Sequence, residues 1–138
     1  MEKSLTNNRA RPAKSLFITD FDGTLLRSDG SFSQRDLDAL KTLSLNGVST
    51  AIATGRSLHS FVNSPGAELA VDYVIFTTGA GVVRKLDDEL IYQLNLSAEM
   101  VSQTLGIMHE NSLDFMLHHP VPDNHKYLFR RANNDNTD

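Results

Sequence analysis

Asp20 and Asp22 lie two positions apart at the end of an apolar run, in Leu16-Phe17-Ile18-Thr19-Asp20-Phe21-Asp22-Gly23-Thr24-Leu25-Leu26. In an extended strand successive side chains alternate faces, so both carboxylates point one way and Phe21 the other. Acids so close repel unless a cation sits between them or one keeps a proton. A divalent cation with a phosphate relieves that repulsion. Mg²⁺ suits a site of oxygen donors with few protein ligands and several waters, which makes Asp20 and Asp22 candidate metal ligands. Gly23 lets the backbone turn tightly and approach a ligand.

Two further stretches end apolar runs with suitable chemistry: Thr54-Gly55-Arg56 and Thr77-Thr78-Gly79. Together with the acid pair they supply carboxylates, hydroxyls, glycine-exposed amides and a guanidinium, the parts phosphoryl transfer needs. Asp20 is the candidate nucleophile, forming an aspartyl-phosphate, with Mg²⁺ screening the anionic phosphate from the attacking carboxylate. Asp22 is the candidate acid and base, protonating the leaving alcohol and then deprotonating the attacking water. Amides of Phe21, Gly23, Thr24 and Gly55 and the Thr54 hydroxyl would hold phosphate oxygens. Arg56, Thr78 and Gly79 complete the candidate substrate contacts, although Arg56 could pair with a surface acid instead.

The surrounding pattern is strand, helix, strand, helix, strand, which calls for a parallel sheet whose carboxyl ends carry the ligand. Ser15 to Asp20 reads as a short apolar strand covered on both faces. Ser28-Asp29-Gly30 marks a small flap after the acids. Ser33, with Asp36 three residues on, reads as a capping box for a helix buried through Leu37, Leu40 and Leu43 or Leu45, ended by Asn46-Gly47. Val48 to Ala53 and Tyr73 to Thr77 are the next strands, with a short helix capped by Ser57 between them. After Gly79-Ala80-Gly81 the reading is a hairpin over Val82–Gln93. A helix capped by Ser97 follows, with Val101, Leu105 and Met108 on one face. Two strands then flank Pro120-Val121-Pro122-Asp123-Asn124. The expected organisation is a polar mobile tail over 1–14, an α/β core over 15–81 and a different, α+β layer over 82–138.

Composition bounds the function. The chain has 138 residues, 40% apolar and 22% charged, with a net charge of −4 and no cysteine. Its acidic balance argues against nucleic-acid binding, which relies on clustered basic surface. Disulfides and thiolate metal sites are excluded. No apolar stretch approaches the roughly 20 residues of a membrane span and no signal-peptide core opens the chain, so a cytoplasmic protein is expected. His118, His119 and His125 do not read as a zinc site, because neighbours on a strand face opposite ways.

Asp20-Phe21-Asp22-Gly23-Thr24 resembles the first motif, DxDGT after an apolar strand, of the haloacid dehalogenase superfamily. Ala53-Thr54-Gly55-Arg56 is similar to the second motif of its Cof-type phosphatases, and Thr78-Gly79-Ala80 sits where these have Asn-Gly-Ala. The resemblance covers about Ser15 to Arg131. It implies a partial Rossmann-like core followed by the start of an α+β cap. The implied activity is that of a Mg²⁺-dependent phosphatase acting on small phosphorylated metabolites, often sugar phosphates. By residue, it implies Asp20 as nucleophile, Asp22 as acid/base whose backbone carbonyl also meets the metal, and Thr54 as the phosphate-binding hydroxyl. Thr78 departs from the usual Asn.

The family's later lysine and acidic pair have no counterpart here, since Asn134-Asp135-Asn136 lacks a Gly-Asp-Gly turn. The family's core also places two later strands beside the first. The expectation is therefore an apparently truncated chain, with little phosphatase turnover alone. Its open edge at Ser15 to Asp20 would favour self-association or a second chain that completes the core. Two other readings stand beside this one. An Asp-x-Asp glycosyltransferase would need a nucleotide-binding domain ahead of the motif, where only 19 residues precede Asp20. A non-catalytic binding or regulatory module would keep the half-site without turnover. Phosphomutase or phosphonatase chemistry on the same scaffold stays open, because the residues that distinguish them lie outside these motifs.

Overall fold

The structure is a computed structural model and describes residues 15–131; the tail expected over 1–14 and the polar end from 132 lie outside it. Three parallel strands, β1 (Leu16–Asp20), β2 (Ser49–Ala53) and β3 (Tyr73–Phe76), lie side by side in that order. Their register aligns Asp20 with Ala53 and Ala53 with Ile75, so all three release the chain at one rim. This is the rim where an open α/β sheet binds its ligand.

Helix α1 (Gln34–Leu45) connects β1 to β2, and α2 (Leu58–Val62) with a 3-10 turn over Pro65–Glu68 connects β2 to β3. Leu40 of α1 is buried, Leu37 packs against the core, Leu43 is half-buried and Leu45 is 79% exposed, so of the two expected ends of the apolar stripe Leu43 is the one found. Ser33 stands at the N-cap of α1 without a side-chain bond, so the expected capping box does not close. Ser57 does cap α2, accepting from the Ser60 amide at 3.2 Å.

Two expectations are corrected. The first strand is not covered on both faces: among the described residues β1 pairs with β2 alone, and Leu16, Phe17 and Ile18 are 57%, 40% and 48% exposed. An apolar run reads the same on a central strand and on an edge, and only pairing separates the two. Nor does the hairpin form a different layer. β4 (Gly81–Arg84) returns antiparallel onto β3, and β5 (Glu89–Gln93) follows, extending the sheet to β1-β2-β3-β4-β5. The cause is the turn at Thr77–Gly79, which reverses the chain so soon after β3 that β4 falls beside it. The sheet is therefore mixed, and the fold is α/β. Helix α3 (Ala98–Glu110), capped by Ser97, has no fully buried residue, and β6 (Phe115–His118) pairs with β7 (Tyr127–Arg130) in a separate two-stranded sheet.

The core gathers Phe21, Leu25, Leu26, Leu40, Ile52, Phe61, Val74, Phe76 and Val83. Phe21 is fully buried and meets the Phe61 ring edge-on, with centroids 5.2 Å apart. Gly66 makes this packing fit, since a Cβ there would lie 2.5 Å from the Phe21 ring. The residue between the two acids is thus an anchor, fixing the backbone from which both project.

Candidate active site

The site begins where β1 ends. Buried Phe21 forces Asp20 and Asp22 outward, and both are exposed. Gly23 takes φ 76°, a conformation costly for residues with a Cβ, and the chain closes at once: the Gly23 amide donates to Leu26 O (2.9 Å) and the Leu26 amide to Phe21 O (2.8 Å). Bridges from Asp22 to Leu26 and from Leu26 to Phe32 form the flap expected from Ser28-Asp29-Gly30. The Thr24 hydroxyl donates to Asp20 Oδ2 at 3.2 Å.

From β2 comes the second component. Thr54 is buried, and its hydroxyl reaches Asp22 Oδ2 at 3.4 Å while accepting the Arg56 amide at 3.1 Å. Arg56 donates from Nε to both Asp22 oxygens at 3.1 Å and from Nη2 to Oδ1 at 2.7 Å. Its guanidinium carbon lies 5.3 Å from the centroid of the Phe21 ring, a cation–π approach that helps orient the fork. The hydrogen bonds from Arg56, and secondarily its charge and the Thr54 hydroxyl, hold the Asp22 carboxyl below its ordinary range against a smaller opposing effect of burial. The same pairing raises Arg56. Asp22 is therefore held ionised, with its carboxylate committed to a guanidinium rather than left open for a metal.

The third component is the turn after β3. Thr77 (φ 51°) and Thr78 (φ 54°) both adopt left-handed backbone, which for β-branched residues costs roughly 1–3 kcal/mol each. Gly79 follows at φ 94°. Hydrogen bonds to the neighbouring loop offset the strain: the Thr77 amide donates to Arg56 O (2.8 Å) and the Thr78 amide to Thr54 O (3.2 Å). The Thr78 hydroxyl lies over Gly55, 4.0 Å from where a Cβ would be, which brings the two loops into ordinary contact distance.

Asp22, Thr54 and Arg56 are thus joined by direct contacts, Thr24 bonds Asp20 at the same rim, and Thr77 and Thr78 meet the backbone of Thr54-Gly55-Arg56, with Gly79 following in the same turn. Three contacts were not anticipated from the residues: the Arg56–Asp22 fork, the bracing by Thr77, and Asn124, whose side-chain amide donates to Thr77 Oγ1 at 2.8 Å. Asn124 sits in a Pro-rich turn, and nothing in its local pattern distinguishes it from an ordinary turn residue. His118 Nδ1 meets Asn124 O at 2.7 Å and His125 stacks on His59, so these imidazoles serve contacts between segments.

For a hard cation, the donor set is small. Among the described residues the Asp20 carboxylate is bonded to the Thr24 hydroxyl alone, and no backbone hydrogen bond uses the Asp22 carbonyl. No group of three or more acidic or imidazole side chains converges among the described residues. These oxygens fit Mg²⁺, which keeps several waters and accepts few protein ligands. Among the described residues no helix is long and apolar enough to cross a membrane.

Comparison with known proteins gives this geometry a context. A family model described as haloacid dehalogenase-like hydrolase matches residues 17–137. A Haemophilus influenzae protein named as a presumed phosphatase is 34% identical over 87 residues, covering 61% of this chain and 31% of that protein. The solved structure of BT1666 from Bacteroides thetaiotaomicron, studied among phosphatases of the haloalkanoate (HAD) enzyme superfamily, superposes with a TM-score of 0.70 at 27% identity, covering 94% of this chain and 46% of BT1666. The HAD subclass IIB sugar phosphatase BT4131 shares the fold, with a TM-score of 0.57 at 22% identity over 85% of this chain and 44% of BT4131. The chain spans less than half the length of each of these relatives.

Proposed function

Because the chain belongs to the haloacid dehalogenase-like hydrolases, we propose that it carries the nucleophile and phosphate loops of a Mg²⁺-dependent phosphatase for small phosphorylated metabolites, sugar phosphates foremost. The observation that carries the reading is the meeting of Thr54 and Arg56 on Asp22 at the rim where Asp20 stays exposed. The sugar-phosphate preference draws support from the fold shared with BT4131.

In this mechanism Asp20 attacks phosphorus, the bond from phosphorus to the ester oxygen breaks, and the alcohol leaves with a proton from Asp22. Asp22 then takes a proton from water as that water attacks the acyl-phosphate and regenerates Asp20. The Asp20 carboxylate and the Asp22 carbonyl would hold Mg²⁺, which would supply charge screening for the phosphate when bound. The Thr54 hydroxyl and the amides of Phe21, Gly23, Thr24 and Gly55 hold its oxygens. With Arg56 on Asp22 the carboxyl is ionised, unsuited to donating a proton. An arriving phosphate competes for the guanidinium, since bidentate Arg–phosphate pairs are among the strongest hydrogen-bonded contacts. Released from Arg56, Asp22 loses the contact that lowers its pKa, and its carboxylate can take the proton of an arriving phosphate monoanion and pass it to the leaving oxygen.

Residues 15–81 are core in this reading, with the hairpin extending their sheet, and the segment carrying α3, β6 and β7 is cap material that selects substrate. Charged metabolites suit a cytoplasmic enzyme. The exposed β1 edge would take a further strand, from a second chain or another copy. The test is Mg²⁺-dependent binding of beryllofluoride, a mimic of the aspartyl-phosphate. Bound ¹⁹F resonances should appear with the chain and disappear in Asp20→Asn; binding unchanged in Asp20→Asn contradicts the assignment.

A further inference from the structure

The contact between Asn124 and Thr77 joins residues 47 positions apart, and it lands on the strained turn that braces the phosphate loop. We infer that Asn124 is a positioning residue for this site: by pinning Thr77 it keeps the Thr77–Thr78 turn against the backbone of Thr54-Gly55-Arg56. The inference deepens the phosphatase reading and rests on it for the role of that loop.

Asn124 is only 8% exposed, its side-chain amide donates to Thr77 Oγ1, and its Oδ1 is buried with no partner among the described residues. A buried polar group with half its capacity unused is costly, and an apolar side chain would fill a purely structural position at less expense. The bond that Asn124 does make acts on a residue that needs it. Thr77 and Thr78 sit at φ 51° and 54°, where the chain relaxes toward negative φ unless held. Relaxation would withdraw the Thr77 amide from Arg56 O and the Thr78 amide from Thr54 O, the carbonyls on either side of Gly55.

The turn that presents Asn124 is itself anchored. Val121 is buried in the core, its amide donates to Asn95 Oδ1 at 2.9 Å, and His118 Nδ1 meets the Asn124 carbonyl. On the far side of the phosphate loop, His125 stacks on His59 of α2 with centroids 4.2 Å apart and planes 15° apart. The turn therefore touches the elements on both sides of Thr54-Gly55-Arg56: Thr77 after β3 and α2 after the loop. A segment far along the sequence would transmit its own docking into the spacing of the phosphate contacts.

The experiment compares the wild-type chain with Asn124→Ala, Thr77→Val, the double variant and Thr77→Ser. It measures amide hydrogen exchange, the ¹H–¹⁵N signal of Arg56 Nε, and the Kd of Mg²⁺-beryllofluoride. Asn124→Ala should speed exchange at the Thr77 and Thr78 amides by about tenfold, the size of one lost hydrogen bond. Amides of β1 and β2, such as those of Ile18 and Ile52, should change less than about twofold. The Arg56 Nε signal should shift and beryllofluoride affinity should fall about tenfold. Thr77→Val should reproduce these effects, the double variant should add nothing, and Thr77→Ser, which keeps the acceptor oxygen, should restore them.

Uniform acceleration across the sheet, or additive effects in the double variant, overturns the inference. Should Asn124→Ala not fold, Thr77→Val breaks the same bond from the core side and decides the matter by the same readouts. If the wild-type chain binds no beryllofluoride, the phosphatase reading fails on its own test. The exchange and Arg56 readouts then still decide whether Asn124 positions the loop.

Discussion

At Asp22 a guanidinium fork decides the protonation state of a would-be acid. The Arg56 hydrogen bonds keep the carboxyl below its ordinary value of 3.8. Replacing Arg56 by Ala should let the Asp22 pKa rise toward that value, measurable by ¹³C titration of the carboxyl. The sign of the stability effect follows: the group is depressed in the fold, so its contribution is present above the unfolded pKa and is lost as pH falls through the folded one. Half-exposed pairs contribute little, so Arg56→Ala should lower stability at neutral pH by less than about 1 kcal/mol, vanishing in strong acid. The shared rim of Asp20, Asp22 and Thr54 was legible in the sequence, because an acid pair or a hydroxyl at the end of an apolar strand already has a place and a direction. Arg56 was not: its long side chain could have met substrate or a surface acid, and only coordinates show that it meets Asp22.

The elements that aim these residues carry their own tests. Ser57 caps α2 directly after Thr54-Gly55-Arg56, and Ser57→Ala should cost about 1 kcal/mol in denaturant unfolding, with exchange loosened first in α2. Gly66→Ala would push a methyl into the Phe21 and Phe61 rings and should destabilise by about 1–3 kcal/mol. Such a change should also weaken beryllofluoride binding, because Phe21 anchors both acids. Helices and strands were found where capping residues and apolar runs placed them, within a residue or two. Partners were harder to read. The apolar run Leu16-Phe17-Ile18 alone reads as a covered strand, and the open edge of β1 was expected only from the later strands the resemblance implies; the Val82–Gln93 pattern likewise does not reveal which sheet the hairpin joins. Pairing depends on the turn geometry at Thr77–Gly79, where two β-branched residues take a conformation their composition argues against.

At the scale of the molecule, the sheet exposes an apolar edge at β1, and the two-stranded sheet leaves Leu128 and Phe129 67% exposed. An unprotected edge invites pairing. Sedimentation should show concentration-dependent association of the chain, and Ile18→Lys, which places a charge on that edge, should shift it toward monomer; association unaffected by the substitution would exclude β1 as the contact. The family was readable from its motifs, whereas the Asn124–Thr77 clasp arises from chain segments that only folding brings together. The most direct measurement for the whole account is the ¹⁹F spectrum of the chain with Mg²⁺ and beryllofluoride. Resonances of a bound species that require Mg²⁺, persist in Asp22→Asn and vanish in Asp20→Asn are the expected result. A spectrum of free fluoroberyllates alone, or bound signals that survive Asp20→Asn, would contradict the assignment of Asp20 as the phosphate-accepting residue.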